Sequence, residues 1–496
     1  MMMHTRTREW LVGAAVVGAL GAPALAQNAP RVDPQVRVNQ DASGFPQNET
    51  TAASSDFAPS RVVMGWNDYR QGSAKTGVAL STDGGRTWSD MLLRPAPQFQ
   101  AGTEGDPMVA ADHRDGTMWA GGIAFSSNGG LFVSRLDPGS TTFGPVVMAA
   151  RNSVSPSGAI DKGWLAAGPD ALDPTNPNKT LLYCAYNDGL IRSTDKGATW
   201  TNPQSLGFGL GFLPRVGPNG ELYILFWDTD DGIKLWRSFN NAATLQGPFH
   251  VATRMDVWGI DGSRFPGDFR VPPLAYLAVD PNDGTLYCVY FDTTNIVAGS
   301  SNVDLYFTKS VNQGTSWTTP VIVNQNDSTP PGDSFFPWIE VDRSGRIHMV
   351  FHDTRNGAPQ SDFSAHALID AYYSYSDDAG ATWHESRLTP ASFNSANDGF
   401  GDSFMGDYHG LAVGGWVAYP LYVSTQNAEA DVFTNVIVRC AADQADPPGQ
   451  LDFSDVVAFL GAFGALDPAA DLAPPMGQWD FSDVVAYLTL FANGCP

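Results

Sequence analysis

The chain has 496 residues, and its formal net charge is −24 because 52 acidic residues outnumber 28 basic ones. This excess excludes nucleic acid and anionic membrane surfaces as main partners, since both are recognised through clustered Lys and Arg. The length suffices for a large core and more than one domain. The 51 Gly and 35 Pro punctuate short apolar runs, which indicates an all-β protein with many turns.

The first 26 residues have the pattern of an export signal. Arg6 and Arg8 precede the apolar run LVGAAVVGALGA, and the small residues Ala24 and Ala26 mark a cleavage site before Gln27. The apolar run is too short for a stable anchor, and no later segment is long and apolar enough to span a bilayer. We therefore expect residues 1–26 to be a signal peptide and the mature protein to be secreted or associated with the cell surface, without a transmembrane anchor.

From about residue 35 to residue 440 the chain repeats a unit of four predicted strands. A first strand often contains Pro, as in RVPPLAYLAVD and FFPWIEVD, and a second strand ends near an acid, as in RVVMGWND and RIHMVFHD. Four-stranded sheets recurring every 50 to 70 residues or so are typical of propeller blades. We predict an all-β propeller in which seven blades are favoured, or six if one unit is irregular. The predicted inner strands start near Thr50, Pro107, Trp164, Pro214, Pro273, Pro337 and Tyr408.

An eight-residue motif, Ser-x-Asp-x-Gly-x-Thr-Trp, follows the third predicted strand in four units. The third side chain can accept hydrogen bonds from the backbone of the following turn, and the Gly permits a positive φ. We interpret the motif as a structural lock of the hairpin rather than as a catalytic or metal-binding site. Its copies are STDGGRTW with Asp83, STDKGATW with Asp195, SVNQGTSW with Asn312 and SDDAGATW with Asp378.

This motif resembles the Asp box, or BNR repeat, of sialidase-like propellers. The resemblance covers about four fifths of the chain and implies the fold more strongly than the activity, because the box also occurs in propellers that are not sialidases. Sialidases of this kind carry three arginines that bind the substrate carboxylate bidentately. They add an Asp acid/base and a Tyr nucleophile paired with a Glu.

The chain departs from that pattern in its first unit. Arg70 in GWNDYRQG resembles one of the family's arginines, but Glu49 stands near the expected position of another. No Asp between Arg70 and the first box can serve as the acid/base. The segment FRVPP, with Arg270, resembles the family's Phe/Tyr-Arg-Ile-Pro segment but occurs in the fifth unit. A true exo-sialidase is therefore an alternative rather than the favoured interpretation.

Polar residues at the starts of the predicted inner strands form the candidate site. These starts converge at one mouth of a propeller's channel, so we expect a mixed ring of acids and arginines there. Such a ring can bind a sugar or an ion, or it can be an internally satisfied ion-pair network. Clustered arginines would favour an anionic sugar, and dispersed ones a scaffold. The candidate catalytic residues are Arg70, Arg270, Asp353 and Tyr408, and the candidate substrate-binding residues are Glu49, Asp106, Asp161, Arg215, Arg355 and Asp407.

Two histidines lie beside candidate site residues, His352 next to Asp353 and His409 next to Tyr408. We expect both to be structural hydrogen-bond partners rather than bases. The cysteines fall into two pairs. Cys184 and Cys288 lie in strand-like runs and are expected to be buried small hydrophobes. Cys440 and Cys495 bracket the C-terminal tail, where we expect a disulfide.

The tail, residues 441–496, contains a tandem repeat of about 28 residues. GQLDFSDVVAFLGAF begins at Gly449 and GQWDFSDVVAYLTLF at Gly477. Each copy predicts a turn and a short amphipathic helix, and Asp452 or Ser454 can cap the first helix. The predicted inner face of that helix consists of Val456, Val457, Phe459, Leu460 and Phe463.

The tail ends in NGCP and resembles a dockerin module, which carries two EF-hand-like calcium loops and docks on a partner domain. The resemblance implies a cohesin-like or cell-surface partner and calcium sites in the two loops, while the protein as a whole requires no cofactor. Pro stands where a ligand belongs in the first loop, so a calcium-free helix pair is the alternative. The candidate metal ligands are Asp443, Asp446, Asp452, Asp455, Asp471, Asp480 and Asp483.

The sequence thus predicts an exported, sialidase-like propeller that recognises or hydrolyses extracellular glycans and is anchored through its dockerin-like tail. If it is an enzyme, the resemblance implies a glycoside hydrolase that requires no cofactor. A non-catalytic scaffold for protein interaction and a true exo-sialidase are the alternatives.

Overall fold

The computed structural model describes residues 30–93, 104–125, 129–155, 160–229, 231–254, 269–297, 300–326, 332–357, 368–401, 403–473 and 478–494. The predicted signal peptide and Cys495 lie outside these residues. Cys184 and Cys288 are buried free thiols, as expected, and Cys440 is disulfide-bonded. Within the described ranges, no helix has the length and apolar character needed to cross a membrane.

The strands form seven antiparallel sheets, preceded by β1 (Arg31–Val32) and β2 (Val36–Arg37). Blade 1 contains β3 (Gln47–Ser54), β4 (Val62–Asp68), β5 (Lys75–Ser81) and β6 (Ser89–Leu92). Blade 2 contains β7 (Gly105–Ala111), β8 (Met118–Ile123), β9 (Gly130–Leu136) and β10 (Val147–Arg151). Blade 3 contains β11 (Trp164–Pro169), β12 (Thr180–Tyr186), β13 (Gly189–Ser193) and β14 (Gln204–Ser205).

The remaining blades follow the same order from the inner to the outer strand. Blade 4 contains β15 (Leu210–Val216), β16 (Leu222–Asp228), β17 (Gly232–Ser238) and β18 (Gln246–Ala252). Blade 5 contains β19 (Ala275–Val279), β20 (Leu286–Val297), β21 (Ser300–Ser310) and β22 (Val321–Ile322). Blade 6 contains β23 (Ser334–Val341), β24 (Ile347–Asp353), β25 (Leu368–Ser376), β26 (His384–Arg387) and the short β27 (Phe393–Asn394). Blade 7 contains β28 (Gly410–Gly414), β29 (Val417–Ser424), β30 (Asp431–Thr434) and β31 (Ile437–Val438).

The inner strands of the sheets form a closed ring. Each inner strand packs against the inner strand of the next blade, and β28 packs against β3. The structure is therefore a seven-bladed β-propeller, which confirms the favoured count. Because each blade lies between two others, its middle strands are buried on both faces; every residue of β4 and of β24 is buried.

The N-terminal strands close the ring. β1 pairs with β31, with Arg31 opposite Val438, and β2 pairs with β30, with Val36 opposite Thr434. Residues 31–37 thus supply the outermost strand of blade 7. The propeller begins with β1, before the predicted start at residue 35.

The repeated motif forms the predicted hairpin lock. In its first copy Gly85 N–H donates to Ser81 Oγ at 2.8 Å, and Thr87 N–H donates to Asp83 Oδ1 at 2.9 Å. Equivalent bonds form at Asp195, Asn312 and Asp378. The Gly at position five has φ of 84°, 89°, 80° and 86° in the four copies.

A fifth copy, which the sequence motif does not reveal, occupies blade 4. Thr244 N–H donates to Asn240 Oδ1 at 3.0 Å, and Ala242 N–H donates to Ser238 Oγ at 3.0 Å. Ala242 takes the position of the Gly with φ of 58°. The lock therefore depends on the side chains at positions one and three more than on the Gly or the Trp.

The tail contains two equal helices, α1 (Phe453–Ala465) and α2 (Phe481–Asn493). Asp452 and Asp480 are the N-caps of capping boxes. Of the two residues predicted to cap α1, Asp452 rather than Ser454 is therefore the N-cap. The Phe459 and Tyr487 rings stack with centroids 3.9 Å apart at the centre of the pair.

The predicted inner face of α1 is only partly correct. Phe459 is buried, and Val456 and Phe463 are partly buried against the helix pair. Val457 and Leu460, by contrast, are 56% and 54% exposed. The two helices meet mainly where the Phe459 ring stacks on Tyr487. The buried stripe of α1 is therefore narrower than that of a helix packed on a large globular core.

Side chains of blades 1 and 7 hold the start of the tail. Trp416 Nε1 donates to Asp443 Oδ2 at 2.7 Å, and Arg31 donates to the Asp443 carbonyl oxygen at 2.7 Å. Arg86 pairs with Asp446 at 2.6 Å. The linker is therefore packed on the propeller rather than free of it.

Candidate functional site

The inner strands begin with irregular backbone at one mouth of the channel. The registers of β3 and β7 shift near their starts, and Glu49 and Asp106 have φ of 55° and 44° there. Lys162, just before β11, has φ of 47°. A left-handed conformation costs a residue with a side chain about 1–2 kcal/mol, and bulges redirect side chains. The fold thus uses strained residues to bring these three charged groups together.

Four carboxyl groups form a continuous chain across this mouth, which we call the acidic mouth: Asp161, Asp106, Glu49 and Asp407. Glu49 interacts with its neighbours Asp106 and Asp407, and Asp161 interacts with Asp106. Two carboxyl groups can form a hydrogen bond only if one of them keeps its proton. The closeness of the acids therefore favours the protonated forms of Glu49, Asp161 and Asp407.

Burial and neighbouring charges favour these protonated forms. Burial, followed by the charges of Asp407 and Asp106, raises the pKa of Glu49 well above its ordinary value. Burial and the nearby Asp106 raise the pKa of Asp161 to about 6. Burial also raises the pKa of Asp407, although Arg270 opposes the effect.

Two cations accompany the acids. Arg270, whose side chain is 57% exposed, donates two hydrogen bonds to Asp407, at 2.8 and 2.5 Å. Lys162 places Nζ 3.5 Å from the centre of the Trp164 ring and 3.3 Å from that of Tyr408. Within the described ranges this buried ammonium has no hydrogen-bond partner. Burial lowers the pKa of Lys162 to about 8 despite the acids around it.

Aromatic rings form the floor of the acidic mouth. Trp164 packs against Tyr408 and Trp338, each at 4.9 Å, and Tyr276 packs against Trp338 at 5.0 Å. The Tyr408 hydroxyl donates to Glu49 Oε2 at 3.2 Å. All four rings are at most 3% exposed, so they pack beneath the acids as part of the core, and a ligand at this mouth would meet the acids rather than the rings.

Arg70, Asp353 and Arg355 lie away from the acidic mouth, at the outer edges of blades 1 and 6. Arg70 pairs with Asp68 at 2.6 Å and with Asp90, on an outermost strand, at 2.7 Å. Arg355 pairs in the same way with Asp353 and with Glu385 of β26, each at 2.8 Å. In both Asp-x-Arg turns the guanidinium folds back on the acid two residues earlier. These arginines are therefore held in separate ion pairs.

Arg215 lies at the opposite mouth of the channel. The strand β15 begins at Leu210, ahead of its predicted start near Pro214, so Arg215 stands near the far end of that strand. It donates to the Leu277 carbonyl oxygen at 2.8 Å and pairs with Glu340 at 2.7 Å. There it lines a cavity of about 330 Å³ together with Asp56 and His113. The ring predicted at one mouth is thus divided between the two ends of the channel.

The two histidines form a buried pair with ring centres 4.0 Å apart. His352 Nε2 donates to the Val423 carbonyl oxygen at 3.0 Å, which is the expected structural role. Both His409 nitrogens are buried without a partner in the described part of the chain, so His409 differs from the expectation. Burial lowers the pKa of His352 to about 3 and that of His409 well below its ordinary value, which keeps both rings neutral.

The acids of the tail loops are engaged by backbone groups. Asp455 accepts N–H bonds from Gln444, Ala445 and Asp452 at 2.7, 2.7 and 2.9 Å. Asp483 accepts the equivalent three from Leu472, Ala473 and Asp480. Donors that converge on a carboxylate repel a cation, so this arrangement of Asp455 and Asp483 disfavours calcium at these two side chains.

The other candidate ligands of the tail have separate roles. Asp443 binds Trp416, Asp446 pairs with Arg86, and Asp452 and Asp480 cap helices. Asp471 stands before the Leu472 and Ala473 amides that bind Asp483. Across the described residues, no three His, Cys, Asp or Glu side chains form a group able to hold a metal ion.

Comparisons with known proteins give limited matches. No protein-family model matches the chain. A stretch of 169 residues is 28% identical to the xyloglucanase Xgh74A of Acetivibrio thermocellus and covers 31% of this chain and 19% of that protein. The chain thus spans about a fifth of the length of the curated relatives that it matches.

Several solved structures are similar to this chain, with TM-scores below one half. The microbial sialidase Hz136 has a TM-score of 0.38 and 16% identity, over 78% of this chain and 65% of that one. The intramolecular trans-sialidase of Ruminococcus gnavus has a TM-score of 0.41 and 11% identity, over 80% and 95%. A mutant NanB sialidase of Streptococcus pneumoniae has a TM-score of 0.39 and 9% identity, over 82% and 70%.

Proposed function

We propose that the protein binds an extracellular glycan at the acidic mouth and hydrolyses a glycosidic bond there. The observation that carries this proposal is the group of four neighbouring carboxyl groups at one mouth of the channel, of which Asp161 is open to solvent. Glycoside hydrolysis needs a carboxylic acid that keeps its proton and a second, ionised carboxylate nearby. The partial identity to a protein named a xyloglucanase supports a glycan as the ligand.

The geometry suggests roles for the individual acids. Asp161 is exposed and has a pKa of about 6, so it is the candidate general acid that protonates the leaving oxygen. Asp161 then recovers a proton from the water that attacks the anomeric carbon, while the neighbouring Asp106 keeps the pKa of Asp161 raised. Arg270 favours the ionised form of Asp407, against the effect of burial, so Asp407 is the candidate second carboxylate. Tyr408 and Glu49 are in contact as the sialidase resemblance implies for a nucleophile pair, although the Tyr408 hydroxyl is buried beneath the acids.

A non-catalytic scaffold is the second candidate function, and the dispersed arginines favour it over a true exo-sialidase. Of the four arginines considered, only Arg270 reaches the acidic mouth. Arg70, Arg215 and Arg355 are each held in ion pairs elsewhere. A clamp for a sialic acid carboxylate would need several of them together. On this alternative, the acidic mouth binds without turnover.

The tail is proposed to dock on a cohesin-like or cell-surface partner outside the cell. Both helices expose apolar side chains at the same relative positions, 48–78% exposed, so the two copies present matching stripes to solvent. Exposed apolar stripes of this kind favour protein contacts. They comprise Phe453, Val457 and Leu460 on α1 and Phe481, Val485 and Leu488 on α2.

The test of hydrolysis uses the full mature protein with neutral polysaccharides, including xyloglucan, with aryl glycosides and with a sialoside. We expect turnover of one glycan class that falls by at least a hundredfold in Asp161→Asn and Asp106→Asn. The matched control is Asp137→Asn, whose side chain is 59% exposed on a surface hairpin. Binding without turnover would leave the scaffold, and turnover that survives both substitutions would exclude the acidic mouth as the active site.

A further inference from the structure

The mouth of the channel opposite the acidic mouth opens into the cavity of about 330 Å³ that Arg215 lines. All seven blades contribute inner-strand residues to its wall. Pockets for small ligands measure about 300–1,000 Å³, so this volume admits a short chain segment but no folded domain. Part of the wall consists of small apolar side chains that remain partly exposed: Ala52 of β3, Ala167 of β11, Val216 of β15 and Val279 of β19.

The inner strands present a free backbone edge to this channel. Each of them pairs, among the described strands, with the second strand of its blade alone. The other edge of such a strand carries N–H and C=O groups that an extended chain can bind. Arg215 of blade 4 already donates to one of these groups, the Leu277 carbonyl oxygen of β19 in blade 5, at 2.8 Å. The edge is therefore within reach of a group that enters the cavity.

The charges around the cavity leave one cation without a partner. Arg343 lines the cavity, is exposed, and forms no ion pair or hydrogen bond with the described residues. Its charge acts on Asp56 only from beyond ion-pair distance. A ligand carboxylate can therefore bind its guanidinium bidentately without displacing another group. The four acids of the wall, in contrast, all have partners: Glu340 pairs with Arg215 at 2.7 Å, Asp112 with Arg114 at 2.8 Å, Asp342 with His348 at 3.2 Å and Asp56 with His113 at 3.3 Å.

The C-terminal end of a peptide satisfies both features of the wall. Its carboxylate binds the free guanidinium of Arg343, and its backbone groups bond to the free strand edges. An alkyl carboxylate would cover the same edges without bonding to them, and each unsatisfied buried polar group costs about 1–3 kcal/mol. A neutral sugar would leave Arg343 without a partner. The small apolar side chains of the wall leave room for short aliphatic side chains of the peptide.

We propose that this cavity binds the C-terminal end of an extended peptide from a partner protein, with the carboxylate on Arg343 and the backbone along the inner-strand edges. The start of the tail lies beside the cavity, since Asp56 accepts the Gly415 N–H at 2.8 Å and the adjacent Trp416 binds Asp443. A partner held by the tail would thus present its chain end at a high effective concentration. The site is separate from the acidic mouth, so the inference holds whether or not a glycan is hydrolysed there.

The experiment measures the affinity of the full mature protein for acetylated tetrapeptides by isothermal titration calorimetry. Their sequence is Ala-Val-Ala-X, in which X is Ala, Val or Leu, and each is compared with its C-terminal amide and with octanoate. The net charge of −24 repels anions in general, so a preference for the carboxylate reports a local cation. We expect at least one free-carboxylate peptide to bind about tenfold more tightly than its amide.

The variants locate the binding. Arg343→Gln should remove the preference for the carboxylate, and Arg151→Gln, at the exposed end of the outermost strand β10, is the matched control that should keep it. Ala167→Leu, which fills part of the cavity, should weaken binding of both the carboxylate and the amide at an unchanged Tm.

Four results would overturn the inference and leave the test of hydrolysis untouched. They are equal affinity for carboxylate and amide, octanoate binding as tight as that of the peptides, affinity that survives both Arg343→Gln and Ala167→Leu, and no binding of any peptide at millimolar concentration.

Discussion

Replacing Asp161 by Asn distinguishes an acidic mouth maintained for function from one maintained for stability. The pKa of Asp161 is raised from the ordinary 3.8 to about 6, by burial first and by Asp106 second. Between these values the folded protein keeps a proton that the unfolded chain releases. The free energy of unfolding must therefore fall as the pH rises from about 4 to about 6, and it stays lowered above that window.

The magnitude follows from the same shift. At 1.36 kcal/mol for each pH unit, the rise corresponds to about 3 kcal/mol for a buried carboxyl group. Asp161 as a residue is open to solvent, although the protein around its carboxyl group still desolvates it, so solvent screening reduces this to about 1 kcal/mol. The amide of Asp161→Asn carries no such cost, so we expect the variant to be about 1 kcal/mol more stable than wild type at pH 8 and equal to it at pH 4.

Urea unfolding at pH 4, 6 and 8, followed by tryptophan fluorescence, measures this difference. Asp353→Asn is the matched control with the opposite sign, because Asp353 is fully buried and pairs with Arg355. Breaking a buried pair costs about 3–5 kcal/mol at neutral pH. If Asp161→Asn also destabilised the protein at pH 8, the acids would be a structural network and the reasoning would be refuted.

The remaining predictions concern the hairpin locks and the tail. Asp195→Asn should cost less than about 0.5 kcal/mol and Asp195→Ala about 2 kcal/mol, because Asn312 already makes the same backbone contacts; urea unfolding of both variants tests this. Gly380→Ala should destabilise by more than about 2 kcal/mol, since φ is 86° and a Cβ would overlap the Phe307 ring. Gly461→Ala, where an added Cβ meets nothing within 4 Å, should stabilise α1 by about 0.5–1 kcal/mol. Equal changes in Tm for Gly380→Ala and Gly461→Ala would contradict both of these predictions. EDTA should leave helical circular dichroism and Tm unchanged, and a loss restored by calcium would show that the tail loops bind the metal.

The propeller could be predicted because its signals are local. Each hairpin lock is specified within eight residues, and four copies with a Gly and a Trp are enough to show the repeat. The fifth copy was missed because Ala242 replaces the Gly, while Ser238 and Asn240 keep the same hydrogen bonds. The backbone accepts a left-handed Ala there, so the geometry is retained without the sequence signature.

The site was predicted less completely because it depends on where strands begin. Glu49, Asp106, Asp161 and Asp407 were expected at one mouth of the channel, and the structure brings these four acids close to one another. Arg215 was placed there too, because the irregular start of β15 is invisible in the sequence. Lys162 was missed although it follows Asp161 directly. Its importance comes from the two rings around its ammonium group, which belong to different blades.

The junction at which β1 and β2 pair with blade 7, which we call the seam, has a consequence for the order in which the ring is assembled. Residues 31–37 leave the ribosome before the blades, yet their strand partners, residues 431–438, follow only after the other blades, so the ring is completed last. Six junctions between blades are covalent, and the seventh is held by the pairing of β1 and β2 with β31 and β30. A cut in a loop between two other blades leaves both fragments held across the seam, whereas loss of the first strands opens the whole ring. A few residues near the N-terminus therefore determine whether the seven blades form one body.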